Sequence, residues 1–268
     1  MARNRLVGSP VALPRRGVRV RVDDVKVTDS WYSERLEQPI GLARWGHYGT
    51  PVLVFPTAGG DAEEIERNGV IGACWPLIEA GRIKVYSCDS VAGRAMVAKT
   101  GSLEYRMWLF NQFHHCVRHE VVPAIRADMG GAEAPIVVAG ASIGAFNALA
   151  VLCRFPDVFR AAVGMSGTYR IQRFLDHQYS QDLFFASPLD FLPGMEGAQL
   201  DQLRTRFVIL ASGQGAWEDV DSSWDAGAVL GRKGVPNRVD AWGEEWPHEW
   251  PTWRRMLPQY LDELCPSS

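Results

Sequence analysis

Gly140-Ala141-Ser142-Ile143-Gly144 constrains this chain more than any other stretch. It follows an apolar run, Ala134-Pro-Ile-Val-Val-Ala139, and opens a helix-like segment, Ala145-Phe-Asn-Ala-Leu-Ala-Val-Leu-Cys153. A strand, then G-x-S-x-G, then a helix describes a turn so tight that only small residues fit beside the serine. The turn lifts the hydroxyl above the sheet and sets the next backbone N–H at a helix N-terminus, where it can hold an oxyanion. A glycine-rich turn that only packs a helix on a strand is the plainer alternative. The flanking strand and helix favour the nucleophile.

The pattern around this turn predicts an α/β fold. Buried strands are expected at Pro51–Phe55, Ile83–Ser87, Phe159–Met165, Arg206–Ala211 and Arg238–Trp242. Helical sequence ends near Gly81, runs from Leu103 to Arg126 with a break or kink at Pro123, and returns at about Ser222–Lys233 and Glu249–Leu264. Strands alternating with helices imply a mostly parallel central sheet covered on both faces. Alternating Val18-Arg-Val-Arg-Val22 and the run Ile40–Trp45 would add antiparallel N-terminal edge strands. Residues 166–200, rich in Phe, Tyr, Asp and Pro, hold no period and are expected to be a loop and short-helix excursion over the active face. The expected organisation is a flexible tail at 1–16 and a single domain at 17–268.

The composition excludes several classes. With 47% hydrophobic and 22% charged residues, the profile is that of a globular protein with a large core. A net charge of -3 gives no field to recruit nucleic acid or an anionic membrane. The six arginines among the first 21 residues read as a frayed tail leading into a strand. Five cysteines without C-x-x-C spacing read as buried small hydrophobes. No signal-peptide-like or membrane-spanning run is found, so the cytoplasm is the expected compartment. No Walker or dinucleotide glycine motif occurs, so no cofactor is expected.

A serine hydroxyl needs a base to take its proton and a third group to orient that base. Only His177 and His248 follow Ser142. His177 falls in the excursion, whereas His248 falls on the loop leaving the last strand, where a sheet enzyme gathers its site. The acid is expected on the loop after the preceding strand, which offers Glu218, Asp219 and Asp221. Glu218 is favoured, with Asp219 the alternative; the sequence separates them poorly. The oxyanion donors are expected from Ile143 and from the loop Thr57-Ala58-Gly59-Gly60, at Ala58 and Gly59.

The elbow, Phe55-Pro-Thr-Ala-Gly-Gly-Asp61, Ser166-Gly-Thr-Tyr169, Gly213-Gln-Gly-Ala-Trp-Glu-Asp219 and Trp242-Gly-Glu-Glu-Trp-Pro-His-Glu-Trp-Pro-Thr-Trp253 resemble the putative-esterase family of α/β-hydrolases. That family includes esterase D-type S-formylglutathione hydrolases, feruloyl esterases and mycolyltransferases. The resemblance spans Val18 to Leu264. It implies an α/β-hydrolase fold, a Ser142–acid–His248 triad and a small-molecule carboxylic ester or thioester substrate. Two departures bear on substrate class: Pro56-Thr57-Ala58 stands where many relatives carry a histidine and glycine, and Ala141 stands where many carry His or Glu.

Trp217, Trp246 and Tyr169 are the expected pocket residues, although tryptophans crowded around His248 would equally lock its loop by packing. Phe184, Phe185, Phe191 and Leu192 supply either a lid or a surface for a second copy, which leaves a homo-oligomer open. His114, His115 and His119 invite a metal reading, but without H-E-x-x-H an ordinary helix face is expected, and no metal. Hydrolysis through an acyl-enzyme is the expected function. Acyl transfer from the same intermediate, or a non-catalytic binding protein on the same scaffold, are the alternatives.

Overall fold

The computed structural model describes residues 25–131 and 133–266. The expected tail at 1–16 and strand at Val18–Val22 lie outside these residues. Eight strands make one sheet: β1 (Lys26–Ser33), β2 (Gln38–Trp45), β3 (Thr50–Phe55), β4 (Ile83–Cys88), β5 (Ile136–Ala141), β6 (Phe159–Met165), β7 (Phe207–Ser212) and β8 (Asn237–Ala241), in the spatial order β1-β2-β4-β3-β5-β6-β7-β8. β1 and β2 pair antiparallel, as do β2 and β4; every other pair is parallel. This is the α/β-hydrolase fold.

The central strands are apolar on both sides because helices cover both faces. Leu53, Phe55, Ile136, Val138 and Leu210 face one layer. That layer contains α3 (Val91–Val97), α4 (Leu103–Cys116), α5 (Val122–Asp128), α6 (Ile143–Arg154) and α10 (Val220–Arg232). The intervening Val52, Val54, Val137, Ala139 and Ile209 face the other. There lie α1 (Glu64–Arg67), α2 (Val70–Glu79) and α11 (Trp250–Leu264). Between β6 and β7 the chain makes short helical pieces, α7 (Gln181–Ala186), α8 (Pro188–Phe191) and α9 (Gly197–Leu203), with single 3₁₀ turns at Ile171–Phe174 and Leu192–Gly194.

Local differences from the sequence expectation have physical causes. β1 carries no hydrophobic alternation because it is an edge strand whose residues 27–30 are exposed. The long helix does not break at Pro123. Its register slips instead through a π-helical turn at Val117–Val121, and the shift accommodates Pro123, which has no N–H to give the ladder, at the start of α5. The strand order reverses between β3 and β5. The chain leaves β3 toward β4 and returns to β3's other side, which opens a crevice at the carboxyl ends of β3 and β5.

One buried charge cluster ties the sheet to the end of α5. Asp128 accepts hydrogen bonds from Lys84 Nζ and Tyr86 Oη, both at 2.5 Å, and pairs with Arg44 Nε at 3.2 Å. Burial alone would raise the Asp128 pKa; the bonds from Lys84 and Tyr86 outweigh it and hold the carboxyl below its usual 3.8. Asp128→Ala would strand the buried Lys84 ammonium and should destabilise the protein by about 3 kcal/mol or more. A depressed folded pKa adds stability that is complete above the unfolded value and is lost as pH falls through the folded one. The gap between wild type and variant in urea unfolding should therefore be constant near neutrality and narrow below about pH 3.8.

Candidate active site

Ser142 follows β5 directly and sits at φ 56° and ψ −119°, a conformation that costs a non-glycine residue about 1–3 kcal/mol. Its neighbours hold it there. Ser142 N–H donates to the Met165 carbonyl at 3.0 Å, and its own carbonyl accepts from Ala145 at 3.2 Å and from Thr168 at 3.2 Å. Both glycines of the motif are explained by backbone crowding. A Cβ on Gly140 would lie 2.3 Å from the Gly144 carbonyl, and one on Gly144 would lie 2.5 Å from the Phe55 carbonyl oxygen. Small residues here let α6 start directly over β3 and β5.

Beside Ser142 lies a cleft of about 440 Å³. Ile143 and Ala58 line it, so both expected oxyanion loops meet at Ser142. Glu64 fixes the Ala58 loop, accepting from Thr57 N–H at 2.7 Å and from Thr57 Oγ1 at 2.8 Å. Gly59 stands exposed one residue on, outside the cleft lining. Met96 and Val97 of α3, with Phe174 and Asp176 of the excursion, form the remaining walls together with Lys99 and Thr168. A larger cavity, about 630 Å³, lies at the amino ends of the strands around Tyr48, Gly81, Arg82 and Arg160. Its arginines are tied to the Leu264 and Cys265 carbonyls, and neither Ser142, His248 nor Glu218 lines it.

The acid and the histidine come from two loops that bond to each other. Gly215 N–H donates to the Trp246 carbonyl at 3.2 Å and His248 N–H to the Ala216 carbonyl at 3.0 Å. The approach needs glycine: a Cβ on Gly213 would fall 1.8 Å from the Trp246 carbonyl oxygen. The Glu218 side chain is buried, 1% exposed, and its Oε2 lies 3.6 Å from His248 Nδ1. Ser166 Oγ donates to Glu218 Oε1 at 2.5 Å and Ser212 Oγ to Oε2 at 3.0 Å. Trp253 Nε1 donates to Ser166 Oγ at 2.9 Å, and the Trp253 ring meets the imidazole edge to face at 5.1 Å. Asp219 instead caps α10, accepting from Ser222 N–H at 3.3 Å. Ser166 follows Met165, the residue that anchors Ser142, so Ser142 and the Glu218 cradle share one strand end.

The expected pocket residues lie elsewhere. Tyr169 is fully buried in the core, packed over Gly164 and Gly167, where any Cβ would overlap its ring or hydroxyl. Trp217 is 89% exposed, and Trp246 packs edge to face on Trp242 at 5.0 Å. None of the three lines the Ser142 cleft. His177 is exposed in the excursion. His114 and His115 turn ring nitrogens to the Arg154 guanidinium at 3.2 and 2.9 Å, a cation where a metal would have to sit. Among the described residues no cluster of His, Cys, Asp or Glu is placed to hold a metal, and no helix is long and apolar enough to cross a membrane.

Sequence reasoning missed Ser166, Ser212 and Trp253 as the cradle of the acid, and Met96, Val97, Lys99, Phe174 and Asp176 as the cleft walls. One backbone signal unites much of this set. Of the seven non-glycine residues at positive φ among the described residues, Lys99, Ser142 and Asp176 line the cleft, His177 follows Asp176, and Ser166 and Trp217 flank Glu218. Among the described residues only Glu37, in the β1–β2 turn, lies apart.

The family model described as "Putative esterase" matches residues 82–264. The chain belongs to that family. No curated protein matches it by sequence. Among solved structures, it is similar to a ferulic acid esterase, with a TM-score of 0.70 at 15% identity over 90% of this chain and 97% of that one. It is also similar to an S-formylglutathione hydrolase from Agrobacterium tumefaciens, with a TM-score of 0.63 at 11% identity over 89% and 92% of the two chains. A third is MPT51 (FbpC1) from Mycobacterium tuberculosis, with a TM-score of 0.58 at 16% identity over 87% and 95%. At these identities the likeness carries the fold.

Ser166→Ala would leave both Trp253 Nε1–H and one Glu218 oxygen short of a partner in a buried site. It should cost about 1–3 kcal/mol in chemical denaturation. Gly213→Ala should be worse, because the added carbon meets backbone rather than a side chain that can move.

Proposed function

We propose that this chain is a serine hydrolase that cleaves a small-molecule carboxylic ester or thioester through an acyl-enzyme on Ser142. The reading rests above all on one observation: a buried carboxylate, Glu218, sits against His248 Nδ1 on the sheet edge that also holds a strained Ser142. His248 takes the serine proton as Oγ attacks the acyl carbonyl and returns it to the leaving group. Glu218 fixes the tautomer with the proton on Nδ1 and offsets the charge that the imidazole gains. Separations such as 3.6 Å are common in unliganded sites and tighten when substrate binds. The backbone N–H groups of Ile143 and Ala58 stabilise the oxyanion. Water then releases the acid. Met96, Val97 and Phe174 offer an apolar wall to one half of the ester, with Lys99 and Asp176 adding charge. No step calls for a cofactor. The five cysteines are free and buried, which suits a reducing compartment, and we propose the cytoplasm.

A fluorophosphonate probe should add once to the wild-type protein and not to Ser142→Ala, as read by intact mass. No adduct on folded wild type would turn the search to a non-catalytic binding role. Within the catalytic reading, Ser142→Ala or His248→Ala should lower kcat by a factor on the order of 10⁴. Glu218→Gln should cost a factor of about 10² or more, while Asp219→Asn should stay within about threefold of wild type, because Asp219 works as a helix cap. Equal losses at both positions would remove Glu218 from the triad. Partition of the acyl group between water and added alcohols or amines separates hydrolysis from acyl transfer.

A further inference from the structure

At the far end of α6 from Ser142, about 18 Å along a helix of this length, lies another cavity, of about 430 Å³. Phe155, Phe184, Phe185, Phe191 and Met195 make its walls, and Arg154 lines it. Phe184, Phe185 and Phe191, for which the sequence left open a lid or a surface for a second copy, line this hollow and not the Ser142 cleft.

Arg154 is unusual in how its charge is matched. Nη2 donates to Asn111 Oδ1 at 2.8 Å and to His115 Nε2 at 2.9 Å, and Nη1 donates to His114 Nδ1 at 3.2 Å. Every one of these acceptors is neutral. Burial, then the Arg154 charge, depresses the pKa of His114 to about 3 and that of His115 to about 4, so neither imidazole is protonated near neutral pH. Asp182, the carboxylate nearest in this network, accepts from Asn111 Nδ2 at 2.7 Å instead of from the guanidinium. Burial lowers the Arg154 pKa to about 10, which leaves it charged at neutral pH.

A guanidinium has five N–H donors, and the three bonds above leave two without a protein acceptor among the described residues. The guanidinium also lies over the Phe155 ring, 5.4 Å from its centroid. A cation short of a counter-charge, set in an aromatic hollow, is complementary to one kind of occupant: an acid group on an apolar body. Glu196 and Gln199, both exposed, complete the lining.

We propose that this cavity is a second ligand site, separate from the catalytic cleft, for a free amphipathic monocarboxylate. Arg154 takes the carboxylate and Phe184, Phe185, Phe191 and Met195 take the hydrocarbon. The proposal stands whether or not Ser142 is the nucleophile.

Calorimetric titration with octanoate and with 1-octanol tests it. Octanoate should bind at least tenfold more tightly than octanol. Phe185→Asp changes a side chain that is 44% exposed, so the fold should survive, and it puts a like charge in the hollow. It should weaken octanoate at least tenfold and leave the fluorophosphonate reaction unchanged. Arg154→Met, where it folds, should bind both probes alike. Equal affinity of the wild type for octanoate and octanol would overturn the proposal. So would unchanged octanoate binding by Phe185→Asp, which would put the ligand elsewhere, the Ser142 cleft included.

Discussion

Everything at the reactive edge of this molecule depends on how closely one helix lies on two strands. Gly144 packs against the carbonyls of Phe55 and Pro56, and Gly140 packs against Gly144; neither contact leaves room for a Cβ. That contact seats α6 so deeply that Ile143 to Cys153 are all buried. It also forces the residue between strand and helix into a conformation that L-residues avoid. The strain at Ser142 is thus a by-product of dense packing. It is sustained by the core rather than by any bond the serine side chain makes.

The same logic of backbone crowding builds the other half of the site. Gly213 and Gly215 let the histidine loop press on the acid loop, and hydrogen bonds between the two fix His248 relative to Glu218. Burying a carboxylate so completely is expensive unless its oxygens are engaged. Ser166 and Ser212 supply one donor each, and Trp253 holds Ser166 while packing on the imidazole. The tryptophans around His248 therefore act mainly as a wall behind the histidine loop. The cleft beside Ser142 is walled instead by α3 and the start of the excursion.

Buried charge is handled in two contrasting ways. Lys84 and Asp128 meet each other directly, with Tyr86 and Arg44 completing the cluster. Glu218 and Arg154 are instead solvated by neutral groups, hydroxyls for the acid and imidazoles and an amide for the base. The first arrangement neutralises charge and ties elements together. The second leaves charge facing a histidine or a cavity, where a reacting group or ligand can meet it.

The sequence by itself determined the parallel centre of the sheet, the elbow and the two loops that hold Glu218 and His248. Those features are local: a buried strand, a glycine demanded by backbone contact, and a residue at a strand end each leave a mark in the neighbouring residues. It favoured Glu218 over Asp219 only weakly, because both sit on one loop. Their separation came only when Ser166, from the preceding strand end, and His248, from the following one, closed around the first and α10 started at the second. Tyr169 and the cleft wall supplied by α3 make the same point. A tyrosine next to a motif points into the core or into a cleft according to which glycines lie beneath it, and α3 reaches Ser142 only because the chain folds back past β4. Such contacts join residues distant in the chain, and tertiary packing alone decided them.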